Sequence, residues 1–312
     1  MFLKKIRISV TKIILPFFHK ILELLKANTR TVNFLNDKKI NANNAYNFQK
    51  NIEILLKNKK LIGLDVGAQG GFNSDEFFPE KYNKYFESIL VDPLKNSLKG
   101  KESKHTINKG LWSSKGKRKL YILNKRPQSS SMYEPNKKSL TIYGFKEKDF
   151  HLFDITKTEM VECDTLSSSL KEININSLDY LKIDTQGAEL EILKGLENYR
   201  PLIIKCEVQI FPMYKKEPAW TAVTDLLYKL GYIVSDWKKI GSHSTRTPVE
   251  MDMVFIPNFL IDSGKKLILE KEKEFISLML ISGQIKLLKK VSKILNIGHS
   301  ELYMKTEDRY FN

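Results

Sequence analysis

With 312 residues, 42% of them apolar and 28% charged, the chain can bury a full core as one large domain with extensions or as two small ones, and wholesale disorder is excluded. Its 52 Lys and Arg against 36 Asp and Glu give a formal charge of +16, which argues for an anionic neighbour (nucleic acid, acidic lipid or a charged glycan) or for a Lys- and Asn-rich proteome; composition does not choose. Cys163 and Cys206 sit in apolar strand-like runs without CxxC or CxxH spacing, which disfavours zinc and reads as buried free thiols of a reducing compartment.

Residues 1–30 interleave seven Lys or Arg and one acid with apolar positions. Lys12 interrupts the apolar run and no small-residue cleavage site follows, against a signal peptide, and the stretch is too short and too charged to span a bilayer. A basic amphipathic helix on an anionic membrane face and a helix docked on its own domain both fit. Residues 31–57 turn periodic at Ile52, Leu55 and Leu56, which predicts a lead-in helix.

The apolar run Leu61 to Leu64 reads as a buried strand that stops in Gly67-Ala68-Gln69-Gly70-Gly71, a turn able to take positive φ and admit a ligand at close range. Residues 73–85 read as a crossover helix with Pro79 shaping or ending it, and Ser88 to Val91 as a second strand, ending in Asp92 twenty-one residues past Gly71, where a nucleotide-binding α/β unit places the carboxylate that grips ribose hydroxyls. The turn is G-x-x-G-G, not the G-x-G-x-x-G of a pyrophosphate site, and Asp65 stands on its strand side. That favours a nucleoside without phosphates. S-adenosylmethionine fits, with Asp65 receiving its α-amino group, the backbone of Gly67 to Gly71 against its amino-acid portion, and Asp92 on the ribose. A glycine-rich turn for some other ligand is the blander alternative.

Residues 94–104 read as helical, and His105 to Leu111 as a third strand whose end offers Leu111 and Trp112 as one wall of an adenine slot, or Trp112 as plain packing. Residues 118–123 alternate as a strand. Residues 126–136, with two prolines and no periodicity, form a loop whose Ser129, Ser130 and Ser131 are linker or hydrogen-bonding groups for a polar ligand. After a short strand at 159–163, Asp164-Thr165-Leu166 starts a helix or turn. Leu178 to Ile183 is a buried strand, Asp184-Thr185-Gln186-Gly187 its carboxy-terminal turn, and residues 188–193 a helix closed by Gly195. Open α/β sheets keep their chemistry at such strand ends, so Asp184 points to the crevice of Asp65 and Asp92, Glu189 opens the next helix, and Glu207 ends the strand 201–208. Residues 220–230 are an amphipathic helix; 232–234 and 251–256 are strands, the second antiparallel to the first, and the loop between them carries His243, a general-base candidate or an incidental loop residue. The basic tail 259–312 is helical, with apolar positions from Leu267 to Val291 that pack on the domain, build an oligomer interface or meet a membrane.

LDVGAQGG, SSSMYEP, VECDTL, LKIDTQGAELEILKG and KCEVQ, in this order, resemble the FkbM family of S-adenosylmethionine-dependent methyltransferases over roughly residues 60–257. The strongest element is similar to that family's K-x-D-x-E-G-x-E signature, with Gln186 where many members have Glu; Asp92-Pro93 stands where Glu-Pro is commoner. The resemblance implies a Rossmann-like class I methyltransferase fold, a mostly parallel seven-stranded sheet with helices on both faces, over residues 58–257, flanked by basic helical extensions at 1–57 and 258–312. It implies O-methylation of a hydroxyl, and a sugar of a cell-surface glycan or its precursor is the preferred acceptor. Asp65, Gly67, Ala68, Gln69, Gly71, Asp92, Leu111 and Trp112 are expected at the cofactor. Asp184, with His243 or Glu207, is expected to take or orient the proton, and Ser129, Ser130, Ser131, Gln186 and Glu189 to meet the acceptor. A divalent metal between Asp184 and Glu207 ranks second for want of a third ligand. The expected place is the cytoplasm, with peripheral membrane contact through the basic termini. The rivals are a nucleic-acid methyltransferase, for which no dedicated module or flipped-base motif is seen, a catalytically inactive scaffold in glycan assembly, and an NAD-type dehydrogenase, which the glycine spacing disfavours.

Overall fold

The computed structural model describes residues 48–94, 96–123, 125–240 and 248–304; His243 and the basic segment 1–47 lie outside them. Helix α1 (Gln49–Leu56) buries Ile52, Leu55 and Leu56, the positions one turn apart that the periodicity marked, and ends at Lys57 in the left-handed region. Strands β1 (Leu61–Val66) and β2 (Phe86–Val91) pair in parallel. The crossover helix expected over 73–85 is absent. Asn73 (φ +57°) and Glu76 (φ +53°) are left-handed, and Pro79 leads only a short 3-10 helix, Glu80–Tyr85. The Asn73 amide donates to the Phe78 carbonyl (2.8 Å) and its oxygen accepts the Phe78 N–H (3.3 Å), so a side chain takes the bonds a helix would need. In the stretch 94–104, also expected helical, residues 96–100 form turns, with Asn96 (φ +68°) and Gly100 (φ +75°) in the left-handed region.

The predicted third strand is two strands in two sheets: β3 (His105–Ile107) pairs with β2, and β4 (Gly110–Leu111) joins β5 (Gly116–Leu123) and β6 (Ile155–Asp164) in a three-stranded sheet of order β4-β6-β5. The division falls at Gly110, where a Cβ would lie 2.4 Å from Met132 Cε and 2.7 Å from Cys163 Sγ. Thr165 caps α2 (Leu166–Glu172), its hydroxyl accepting the Ser168 N–H. There follow β7 (Tyr180–Ile183), α3 (Glu189–Lys194), β8 (Ile203–Gln209), α4 (Trp220–Lys229), β9 (Tyr232–Ile240) and β10 (Glu250–Pro257), then α5 (Asp262–Glu270), α6 (Glu272–Ile281) and α7 (Ile285–Leu295).

The large sheet has seven strands in the order β3-β2-β1-β7-β8-β10-β9 and is mixed: neighbours from β3 to β8 are parallel, and β10 runs antiparallel to β8 and β9. Alternation along each strand splits the core. Leu61, Phe86, Tyr180, Val254 and Ile256 pack on one face with α1 and the tail helices, where Phe275, Leu278, Ile281, Ile285, Leu288 and Val291 are buried; Leu64, Ile89, Leu181, Ile204 and Phe255 pack on the other against Leu170, Ile192 and Val223 of α2, α3 and α4. Of the three roles open to the tail, helices 262–295 pack on the sheet. Among the described residues no helix is long and apolar enough to cross a membrane.

Candidate active site

The carboxyl ends of β1, β2 and β7 open on one crevice of about 570 Å³ when the open solvent at its mouth is counted. Gly67 forms its floor at φ +84°, and a Cβ there would stand 1.9 Å from the Asp184 carbonyl, so only glycine lets the turn after β1 pass the end of β7. Asp92 lies on the opposite lip and is 2% exposed; its Oδ1 accepts the Leu94 N–H and the Ser97 hydroxyl, both at 2.8 Å. Burial raises its pKa, although these bonds and the Gln69 side chain pull it back. Leu94, Leu111, Leu120, Met132 and Ile192 make an apolar wall, and Gln69 lines the same space.

Several expected residues stand elsewhere. Ala68 is buried against Leu90 and Leu98, and Gly71, at φ +93°, turns the chain outside the crevice. Trp112 lies off the crevice lining, its ring tilted at 39° to that of Tyr133 and the Arg118 guanidinium over it. Asp65 does not face the crevice. Wholly buried, it accepts Lys182 Nζ (3.0 Å) and the Asn73 N–H (3.1 Å). In register, Asp65, Lys182 and Lys205 occupy one row across β1, β7 and β8, so their side chains share a face. Lys205 in turn meets Asp75 and Asp252, the latter at 2.7 Å. Burial raises the Asp65 pKa against the Lys182 charge; burial pulls Lys182 down, but Asp65, Asp184 and Asp75 hold it above the ordinary lysine value.

Asp184 and Gln186 also line the crevice. Gln186 Nε2 donates to Asp184 Oδ1 (3.2 Å) and to Glu207 Oε1 (3.1 Å), and the Tyr214 hydroxyl lies 2.8 Å from Gln186 Oε1. Burial, then the charges of Asp184, Glu250 and Asp252, push Glu207 well above the carboxylate range. The structure therefore brings Asp184, Gln186 and Glu207 together. Each serine has a partner within the chain: Ser129 Oγ accepts Arg126 Nε (3.3 Å), Ser130 Oγ accepts the Leu123 N–H (3.2 Å), and Ser131 donates to the Gln186 carbonyl (2.6 Å). Ser130 and Ser131 line the crevice; Ser129 is buried beneath it. Glu189 is buried away from the crevice, where its Oε1 accepts the Thr185 and Gly187 N–H groups and the Thr185 hydroxyl, so it holds the Asp184–Gly187 turn. Burial pushes its pKa up to about 7 despite those bonds. Among the described residues no group of three or more His, Cys, Asp and Glu is placed to hold a metal ion.

Sequence reasoning missed Lys182, Lys205, Ser97 and Tyr214. The lysines had a signal, a charge inside the apolar runs LDYLKI and PLIIKCEV, which demands a buried partner. Ser97 and Tyr214 lie in irregular segments where no pattern marks them. Residues 65–234, more than half of the chain, match the model of the methyltransferase FkbM domain. No curated protein matches the chain.

Proposed function

The chain belongs to the FkbM methyltransferase family, and from that premise we propose that it is an S-adenosylmethionine-dependent O-methyltransferase of the Rossmann-like class I fold, acting on a hydroxyl. The strand order, with one antiparallel strand set between β8 and β9, supports the fold reading. The observation that carries the activity is that one crevice joins Asp92 and an apolar wall at its cofactor end to Asp184 and Gln186 at the other.

The residues present fit the cofactor. A carboxylate beside an apolar slot suits a ribose and a purine, and the Gly67 turn leaves backbone in close reach of an amino-acid portion. When bound, S-adenosylmethionine supplies a sulfonium methyl group already activated for displacement. The chain's own task is to orient the acceptor oxygen, exclude water and remove a proton. Asp92 holds the ribose hydroxyls. Asp184, at the crevice and hydrogen-bonded through Gln186 to Glu207, takes or orients the acceptor proton. The serine loop walls the crevice and fixes Gln186 from its backbone side. A sugar hydroxyl of a glycan or its precursor is the preferred acceptor, on the family resemblance.

Calorimetric titration with S-adenosylmethionine and S-adenosylhomocysteine, with NAD as control, tests the reading. Asp92→Ala is expected to weaken cofactor binding by about 1.5–3 kcal/mol, the loss typical of a hydrogen bond to a charged group, while Asp184→Asn keeps wild-type affinity. A folded wild-type protein that binds neither ligand would sink the proposal and favour the inactive scaffold.

A further inference from the structure

Strand β9 closes the large sheet at one end, with β10 on one side and no strand among the described residues on the other. Such an edge offers a row of backbone N–H and C=O groups to any extended partner. The β9–β10 register slips between Val254 and Phe255, leaving Ser235 unopposed, so that Val234 stands opposite Phe255 and Trp237 opposite Met253. Both side chains therefore lie on the sheet face that carries α4, and they are 38% and 63% exposed. Tyr228 of α4, 68% exposed, lines with Val234 an open groove of about 670 Å³, the solvent at its mouth counted. An exposed tryptophan, tyrosine and valine along one sheet edge have the composition of a contact surface.

The opposite face of the strand carries Asp236 and Lys238, neither in an ion pair among the described residues. Burial raises the Asp236 pKa and the Trp237 N–H, bound at 2.8 Å, pulls it back; no cation lies beside it. The order Asp236-Trp237-Lys238 says what partner fits. In an antiparallel pairing of two identical strands, facing side chains share a face of the sheet, so the two-fold axis must set one residue opposite itself. With Trp237 there, Asp236 faces Lys238 of the partner subunit and Lys238 faces the partner's Asp236. That makes two opposite-charge pairs on one face and a tryptophan pair on the other. Moving the axis by one residue sets Asp236 against its own copy in one direction and Lys238 against its own copy in the other.

We propose that β9 is a dimer interface of this chain: two copies pair their β9 strands antiparallel about a two-fold axis at Trp237, joining their large sheets into one. Asp236 gives up the Trp237 N–H to a carbonyl of the second copy and takes a lysine in exchange. The parallel strands of the two copies run in opposite directions, so their crevices open at opposite ends of the joint sheet, and the pairing is independent of what the crevices bind.

Sedimentation equilibrium of the full chain in about 0.15 M salt tests the pairing, with circular dichroism confirming that each variant folds. Wild type is expected to be dimeric at about 50 μM. Asp236→Lys and Lys238→Asp should each weaken the dimer about tenfold or more, because each turns both pairs into like charges. The double variant Asp236→Lys/Lys238→Asp should recover the dimer, since opposite charges face each other again. Trp237→Lys alters a side chain exposed in the single copy and should give a folded monomer. A wild type that stays monomeric at this concentration overturns the proposal and leaves the apolar face to a different partner. A dimer that survives both single reversals, or a folded double variant no tighter than the single ones, overturns it as well.

Discussion

Lys182 shows what a single residue carries. Its side chain is 3% exposed and its ammonium lies 3.0 Å from an Asp65 carboxylate that is wholly buried. Lys182→Met removes the cation and leaves Asp65 with one backbone N–H, the situation in which breaking a buried pair costs about 3–5 kcal/mol. Urea unfolding of Lys182→Met should show a loss of that size, and Asp65→Asn in the same background should recover part of it; a loss below about 1 kcal/mol would mean that Asp65 is neutral in the folded protein. The lysine was legible as a charge inside an apolar strand. Its partner was not, because Asp65 precedes it by 117 residues and a strand-end carboxylate looks the same in sequence whether it meets a ligand or a neighbouring ammonium. The serines raise the same ambiguity: hydroxyls in a loop advertise hydrogen bonds, but not whether the partner is a ligand or the protein itself, and here Ser130 and Ser131 line the crevice while also bonding within the chain.

The elements were readable wherever burial imposes a pattern. All seven strands of the large sheet were anticipated, the central ones as apolar runs against the core, whereas β3 (His105–Ile107) buries only Ile107 and the helices expected over 73–85 and 94–104 were not formed. There, Asn73, Glu76, Asn96 and Gly100 take left-handed backbone, a local choice that apolar spacing does not report. The tail was legible as helical but not in its destination, which depends on the sheet face it meets. Ile276 of α6 and Leu288 of α7 are both fully buried in the cluster that holds Leu61 and Tyr180, whereas Ile294 of α7 is 54% exposed. Ile276→Ala and Leu288→Ala should each cost about 2–5 kcal/mol, against under about 0.5 kcal/mol for Ile294→Ala. Equal, small losses in denaturant unfolding would show that the tail helices contribute nothing to the cooperative core.

At the scale of the molecule, buried carboxyl groups set how stability varies with pH. Burial pushes Glu189 and Glu250 up to about 7 and Glu217 up to about 8, and raises Glu207 well above its ordinary range. Unfolded, a glutamate titrates near 4.3. A carboxyl whose folded pKa is raised keeps a proton that the unfolded chain has lost, so its stabilisation is complete below the unfolded value and disappears as pH climbs through the folded one. Asp75, lowered by Lys205 and Lys182 against the effect of burial, has the opposite sign, but its contribution fails only as pH falls below about 4, where unfolded aspartates protonate. Between pH 5 and 8 the raised group governs. The melting temperature should therefore fall steadily across that interval, measured in enough salt to screen the self-repulsion of a chain of formal charge +16. Glu217→Gln should flatten the upper part of the fall, because the amide carries no proton to lose, and should lower the melting temperature at every pH, because the Met213 and Tyr214 N–H groups are held by different oxygens, at 2.9 and 3.0 Å, and the amide can accept only one of them. A melting temperature that rises from pH 5 to 8 would show that these carboxyls are ionised in the folded state.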